Sequence, residues 1–340
     1  MSKTIGFAML GVSSVISLAA SAGIKAPSEE DINKYLRPAE IPQPANNLLT
    51  PERVYLGKVL FFDPRLSSSN FISCATCHNP ALGWSDGQPT AVGHGMEILE
   101  RSTPTILNTA YQSSQFWDGR SKTLEDQATG PIEAAGEMAQ PITELLPELE
   151  KIPGYEALFE DAYPGEGISR DTIAKAIASF ERTVVSTDSP FDRWLKGDSG
   201  EMSADAVKGF DIFKGKANCT KCHDGFNFTD NGFHNIGLDN PKDEGRFALK
   251  PIGVLKGAFK TPTLRDVALT APYMHNGQFS TLGDVIDHYA SGGKKNVGNV
   301  SRNIQKFKLS KKEKMQLVAF LKSLTGDPVE VAVPVLPVSN

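Results

Sequence analysis

The sequence predicts a mostly α protein made of two similar helical units with extensive ordered loops, and three observations predict it. Two C-x-x-C-H stretches, Cys74-Ala75-Thr76-Cys77-His78 and Cys219-Thr220-Lys221-Cys222-His223, recur 145 residues apart in similar surroundings. Capped runs with apolar residues at helical spacing occur in each half, and strand alternation is scarce. The length of 340 residues fits about two domains at ~150 residues each. With 40% apolar and 22% charged residues the composition is that of a globular protein. A formal net charge of -5 is too slight, and of the wrong sign, for a general nucleic-acid binder.

The first element lies outside the fold. Lys3, a mostly apolar run from Ile5 to Leu18 and then Ala20-Ser21-Ala22 follow the grammar of a signal peptide over residues 1–22, cleaved after Ala22. The run is shorter than the ~20 residues that span a bilayer. The expectation is therefore an exported, periplasmic protein in an oxidising compartment.

The first unit is expected over 23–190. Thr50-Pro51-Glu52-Arg53 opens a helix with an N-cap, a proline and an early acid. A second helix runs from Ile168 to Val185, with Ser169 as N-cap and Ile173, Ile177, Phe180 and Val184 on its apolar face. Residues 186–200 are richer in Ser, Asp, Gly and Pro and read as a linker, docked by Phe191 and Trp194. The second unit is expected over 191–328. Ser203-Ala204-Asp205 starts one of its helices. Ser310-Lys311-Lys312-Glu313 is a capping box before Leu317, Val318, Phe320, Leu321 and Leu324, with Gly326 and Pro328 as the stop. Residues 329–340 read as an extended or disordered tail.

The four cysteines all belong to the two motifs. Each motif reads as a c-type haem attachment site: two thiols form thioethers to one porphyrin, and the adjacent imidazole reaches its iron. Two redox disulfides or one four-cysteine zinc site are the alternatives, and neither explains a histidine after both pairs. The flanks repeat as well. Gly57-Lys58-Val59-Leu60-Phe61-Phe62 and Gly209-Phe210-Asp211-Ile212-Phe213 precede the motifs, while Gly83-Trp84-Ser85-Asp86-Gly87 and Phe228-Thr229-Asp230-Asn231-Gly232 follow them. The expected architecture is thus two cytochrome c-like haem domains.

Further strings accompany the motifs in a fixed order: Gly93-His94-Gly95, Thr103-Pro104-Thr105-Ile106-Leu107-Asn108, Phe116-Trp117-Asp118-Gly119-Arg120, Gly130-Pro131-Ile132-Glu133, Glu137-Met138, Lys260-Thr261-Pro262-Thr263-Leu264-Arg265 and Pro272-Tyr273-Met274-His275-Asn276-Gly277. On these the chain resembles the bacterial di-haem cytochrome c peroxidase and MauG family across nearly the whole mature sequence. The resemblance implies that hydrogen peroxide reacts at the His78 haem and that electrons arrive through the His223 haem. It implies a small cytochrome c or a cupredoxin as donor or, in MauG-like chemistry, a protein substrate oxidised at Trp or Tyr. A homodimer is also implied. A simple di-haem electron carrier is the reading from another class.

The resemblance assigns roles residue by residue. His94, sixteen residues after His78, matches a histidine that caps the distal iron face in resting peroxidases; its alternative is a loop histidine with no iron bond. Glu137, twenty residues after Trp117, matches the distal acid–base that moves a proton between the peroxide oxygens, with Gln127 and Pro131 at intervening matching positions. Glu133 is its negative control. Trp117 matches a tryptophan between the porphyrins, with Asp118 and Arg120 supporting its turn. Tyr289 stands where ordinary di-haem peroxidases have methionine and MauG-like proteins have an axial tyrosine, with His288 and Met274 as alternative ligands. A calcium ion between the units would match Ser102, Thr270 and Pro272, although the family's asparagine is replaced by Ser102. His234 and His275 read as structural or propionate-contacting residues.

Overall fold

The computed structural model describes residues 25–239, 242–294 and 297–338. The expected signal peptide lies outside these. Twelve helices carry the fold among the described residues. They are α1 (Glu29–Tyr35), α2 (Pro51–Phe62), α3 (Cys74–Cys77), α4 (Leu124–Ala128), α5 (Gly130–Glu133), α6 (Ile142–Glu150), α7 (Pro153–Ala162), α8 (Arg170–Thr183), α9 (Pro190–Leu195), α10 (Ala204–Lys214), α11 (Leu282–Ser291) and α12 (Lys311–Ser323). A two-stranded antiparallel ribbon pairs β1 (Phe233–His234) with β2 (Phe259–Lys260), Phe233 opposite Lys260. No helix among the described residues is long and apolar enough to cross a membrane.

Local chemistry sets the helix starts. Thr50, Ser169, Ser203 and Ser310 each accept a backbone N–H of the first turn, satisfying donors that the helix leaves open. The Ser310–Glu313 box is reciprocal, with Glu313 Oε2 accepting from Ser310 N at 2.7 Å.

Each core is a crossing of two helices around a glycine. A Cβ on Gly57 would lie 1.8 Å from the Ala176 carbonyl oxygen, so only glycine lets α2 meet α8 there. Gly209 does the same for α10 against α12, where a Cβ would lie 2.0 Å from Gln316 O. Leu56, Leu60, Phe61, Trp84, Ile177 and Phe180 fill the first core. Phe191, Phe210, Phe213, Phe228 and Phe320 fill the second, mostly in edge-to-face or tilted contact.

The structure departs from the sequence reading at three places, and at the last two packing crosses the expected boundaries. The stretch read as a linker holds α9, because its Ser and Asp form a capping box (Ser189 N to Asp192 Oδ2, 2.9 Å) and its Phe191, Trp194 and Leu195 are buried in the second core. α1 lies in sequence with the first unit, yet Tyr35 is buried against Phe191, Phe210 and Phe228. The tail is extended and lies on the first core through Val329, Val331 and Leu336. Each end of the described residues therefore packs on the unit more distant in sequence, driven by apolar side chains that would otherwise face water.

Candidate functional site

A cavity of about 560 Å³ runs between the two cores. Both motifs line it: Cys74, Cys77 and His78 on one side, Cys219, Cys222 and His223 on the other. The histidines are held alike. His78 Nδ1 lies 3.2 Å from Trp84 O and His223 Nδ1 lies 3.0 Å from Phe228 O, so a proton on Nδ1 is bonded to backbone and Nε2 remains the ligand atom. Burial pushes both imidazoles below their ordinary pKa, which keeps them neutral and able to ligate.

The loops that hold these carbonyls repeat almost bond for bond. Ser85 Oγ donates to Thr103 O at 2.8 Å and Thr229 Oγ1 to Thr261 O at 2.6 Å. Thr105 Oγ1 donates to Gly83 O at 2.7 Å and Thr263 Oγ1 to Asn227 O at 2.9 Å. The units also clasp each other reciprocally: Ser102 N donates to His275 O (2.7 Å) and Lys260 N to Trp117 O (2.8 Å).

The thiols fit thioether attachment. Burial pushes Cys77 up to about 11 and Cys219 up to about 12, and pushes Cys74 up as well. Cys74 packs on the first core and Cys219 on the second, against a zinc site shared by all four cysteines.

On the first side, Glu137, Gln127, Pro131 and Trp117 all line the cavity. Burial raises the Glu137 carboxyl above its usual range, and the Arg120 guanidinium opposes that. Gln127 Oε1 is buried with no hydrogen-bond partner among the described residues. Glu133 is exposed, is not among the cavity-lining residues and pairs with Arg170, as befits a control. Trp117 Nε1 donates to Ser102 O at 2.8 Å, and Asp118 bridges Arg101 (2.6 Å) and Arg120 (3.2 Å). His94 is not among the cavity-lining residues: its Nδ1 lies 3.3 Å from Ser68 Oγ, and its backbone N–H donates to Glu137 O at 2.8 Å. The His94 loop is thus anchored to the segment that carries Glu137.

On the second side, Tyr289 from α11 and Met274 both line the cavity. His288 does not; its Nε2 is taken by Ile236 O at 2.9 Å. Tyr289 is enclosed, and burial pushes its phenol up. Ser102, Thr270 and Pro272 line the same cavity. One Ser102 hydroxyl and the Thr270 and Pro272 carbonyls are fewer than the about six to eight oxygens calcium takes, so waters would have to complete the shell. His234 bonds Asp230 at 2.8 Å, which raises it to about 10 and gives it a structural place beside Cys222.

Of two further cavity residues, Lys260 escaped the sequence reading of roles and His275 was read there only as structural or propionate-contacting. Lys260 is buried, which pushes its ammonium down to about 7, and its Nζ donates to Gln112 Oε1. His275 stacks on Phe259 (3.6 Å, 15°), meets Trp117 edge-on at 6.4 Å, and is lowered to about 4 by burial. The signal for both was their register: aligning Thr261-Pro262-Thr263 with Thr103-Pro104-Thr105 puts Lys260 opposite Ser102 and His275 opposite Trp117.

Two helical haem-attachment units sharing one cavity define a two-centre c-type redox protein. A profile of the di-haem cytochrome c peroxidase family matches residues 51–200. The chain is 47% identical to the methylamine utilization protein MauG of Methylorubrum extorquens, over 89% of this chain and 87% of that protein. It is 38% identical to the cytochrome c551 peroxidase of Pseudomonas aeruginosa, over 89% of this chain and 87% of the other. The structure superposes on that of a MauG-like protein associated with microbial copper homeostasis with a TM-score of 0.80 at 32% identity, covering 86% of this chain and 94% of that one. The chain belongs to the di-haem cytochrome c peroxidase family. It is an oxidoreductase of that family and carries two covalently bound c-type haems.

Proposed function

We propose that this chain reduces hydrogen peroxide to water at the first site, with electrons drawn through the second from a small periplasmic cytochrome c or cupredoxin. The observation that carries this is a difference at one register position. Thr123 caps α4 and Thr281 caps α11, each accepting a backbone N–H at 3.1 Å. Eight residues on, the first unit has Pro131 and the second has Tyr289, and both face the cavity. Proline offers no ligand atom; a tyrosine offers a hard oxygen. The first site is therefore left open to a small oxidant from this side, and the second is closed.

When bound, the haems supply the electron-transfer chemistry by which one peroxide takes up two electrons and two protons to give two waters. The chain supplies the proton path. Glu137, whose carboxyl burial raises above its ordinary range, takes the proton from one peroxide oxygen and delivers it to the other. Gln127, with a buried unpartnered carbonyl oxygen, can accept from peroxide and orient it. Trp117, fixed by Ser102 and edge-on to His275, occupies the path between the sites. His94 acts as a loop anchor in this arrangement, and its ligation of iron in another oxidation state is part of the reading to be tested.

A second reading, oxidation of Trp or Tyr side chains on a partner protein, is favoured by Tyr289, whose oxygen, as an anionic ligand, would help the second haem hold an oxidising equivalent. Rapid mixing of peroxide with the oxidised and half-reduced protein, followed optically and by magnetic resonance, tests both. Fast reaction with stoichiometric oxidation of an added reduced cytochrome supports the first reading. Fast reaction that leaves the cytochrome reduced favours the second. No reaction at either level leaves an electron carrier and overturns both.

A further inference from the structure

Glu181 is a buried acid that the peroxide reading does not use. It lies on α8, is only 5% exposed, and its Oε2 has no hydrogen-bond partner among the described residues. It lines the cavity together with Cys74 and Ile177. The glycine crossings fix its counterpart. Ala176 meets Gly57 as Gln316 meets Gly209, and Phe180 stands to Gly57 as Phe320 does to Gly209, so Glu181 corresponds to Leu321, which also lines the cavity. One haem wall thus carries a carboxyl where the other carries an isobutyl group.

The surroundings leave this acid without a dedicated counter-charge. Arg182 on the same helix is already paired with Glu125 of α4 at 2.7 Å, and Glu125 also accepts from Asn47 Nδ2 at 2.9 Å. From α2 it is Gly57, Phe61 and Phe62 that pack on this part of α8. Cys74 faces it from α3, and Glu137 lines the same cavity from the opposite loop. Burial, opposed by Arg182 and reinforced by Glu125, raises the carboxyl to about 8. An unpaired buried acid is costly unless it is neutral or its charge is balanced by something in the cavity.

We propose that Glu181 is the redox-linked proton site of the first haem. When the His78-bound iron gains an electron, the Glu181 carboxylate takes up one proton from solvent; when the iron loses that electron, the carboxyl releases it. The added electron and the added proton cancel, so the water-poor wall sees no net change of charge. Leu321 denies the second haem such a group, and the two centres respond differently to pH.

The test is a spectroelectrochemical titration of the holoprotein over about pH 5.5 to 9, read separately at each haem. The first haem's midpoint potential is expected to fall as pH rises. In Glu181→Gln it should stay flat at the value the wild type reaches at low pH, with the second haem unaffected. Glu181→Leu, which copies the second unit, should behave as the Gln variant does. Persistence of the slope in Glu181→Gln, or its loss in Glu137→Gln instead, would place the proton elsewhere and overturn the proposal. Should the variants fold poorly, a redox-triggered infrared difference spectrum of the wild type decides: a protonated-carboxyl C=O band must appear on reduction of the first haem, and its absence overturns the proposal. Neither measurement uses peroxide, so this inference can fail without the proposed reaction failing.

Discussion

In the first haem unit Asn108 N donates to Val184 O just past the end of α8; in the second, Asp266 N donates to Leu324 O just past the end of α12. The same correspondence runs through the glycine crossings, the Nδ1-to-carbonyl bonds of His78 and His223, and the Ser/Thr clamps on each loop. The side chains that enter the cavity from this shared frame do not correspond: Pro131 against Tyr289, Glu181 against Leu321, Trp117 against His275, Ser102 against Lys260. Backbone bonds and packing repeat because each unit must hold one haem by the same covalent geometry. In the proposed reaction, ligand, acid and bridge positions diverge because the same group has to be open at one site and closed at the other.

The largest way to break this comparison is at the acid. Glu137→Gln keeps the size and removes the proton carrier, so the second-order rate of peroxide reaction should fall by ~10²–10⁴, while Glu133→Gln leaves it unchanged. In the wild type a carboxyl with a raised pKa stays protonated to higher pH. As the base it must first ionise, so the rate should rise with pH through a midpoint above the ordinary carboxylate range of about 4.3, and the Gln variant should be flat. Stopped-flow absorption checks both; equal rates in the two variants would remove Glu137 from the mechanism.

Exchanging the register pair comes next. Pro131→Tyr should offer the first site the oxygen ligand proposed for the second, and slow its reaction with peroxide by about tenfold or more, roughly 1.4 kcal/mol of barrier. Tyr289→Phe should change the magnetic resonance signature of the second haem alone and raise its potential, since a hard anionic donor favours oxidised iron. An unchanged second-haem spectrum would turn attention to Met274, the other candidate that faces the cavity.

The scaffold itself is expected to respond symmetrically. Gly57→Ala and Gly209→Ala both drive a methyl into a backbone carbonyl of the crossing helix, and each should destabilise its unit by about 1–3 kcal/mol or more. Denaturant unfolding of the holoprotein reads this, and tolerance of one but not the other would show that the crossings are not equivalent.

Local chemistry explains what could be read in the sequence. Ser169 and Ser310 announce their helices because a cap is a contact three residues long, and the cysteine pairs announce their cofactor because attachment demands that spacing. Lys260 and Glu181 were silent, and His275 gave no more than a structural or propionate-contacting reading. Their meaning comes from partners distant in sequence, and a charged residue at the end of an apolar helix face reads as solvated until the neighbouring helices are in place. The supposed linker shows the same limit from the other side. Ser, Asp and Pro mark a break, but they equally mark the start of a helix such as α9, and only Phe191 in the second core decides between them.

The exchange of chain ends gives the mildest and most specific test. Val329, Val331 and Leu336 are partly covered on the first core, so deleting residues 329–340 should remove about 1–3 kcal/mol from that unit, given partial burial of three apolar side chains. The second unit rests instead on α1, where Tyr35 OH donates to Asp224 Oδ1 at 3.0 Å and Arg265 Nη2 donates to Tyr35 O at 3.1 Å. Hydrogen exchange of the truncated holoprotein should therefore show lost protection in α2 and α8 while α10 and α12 keep theirs. Loss spread evenly over both helix pairs would mean that the tail stabilises the junction between the units rather than the first core, and the asymmetry argued from its packing would have to be given up.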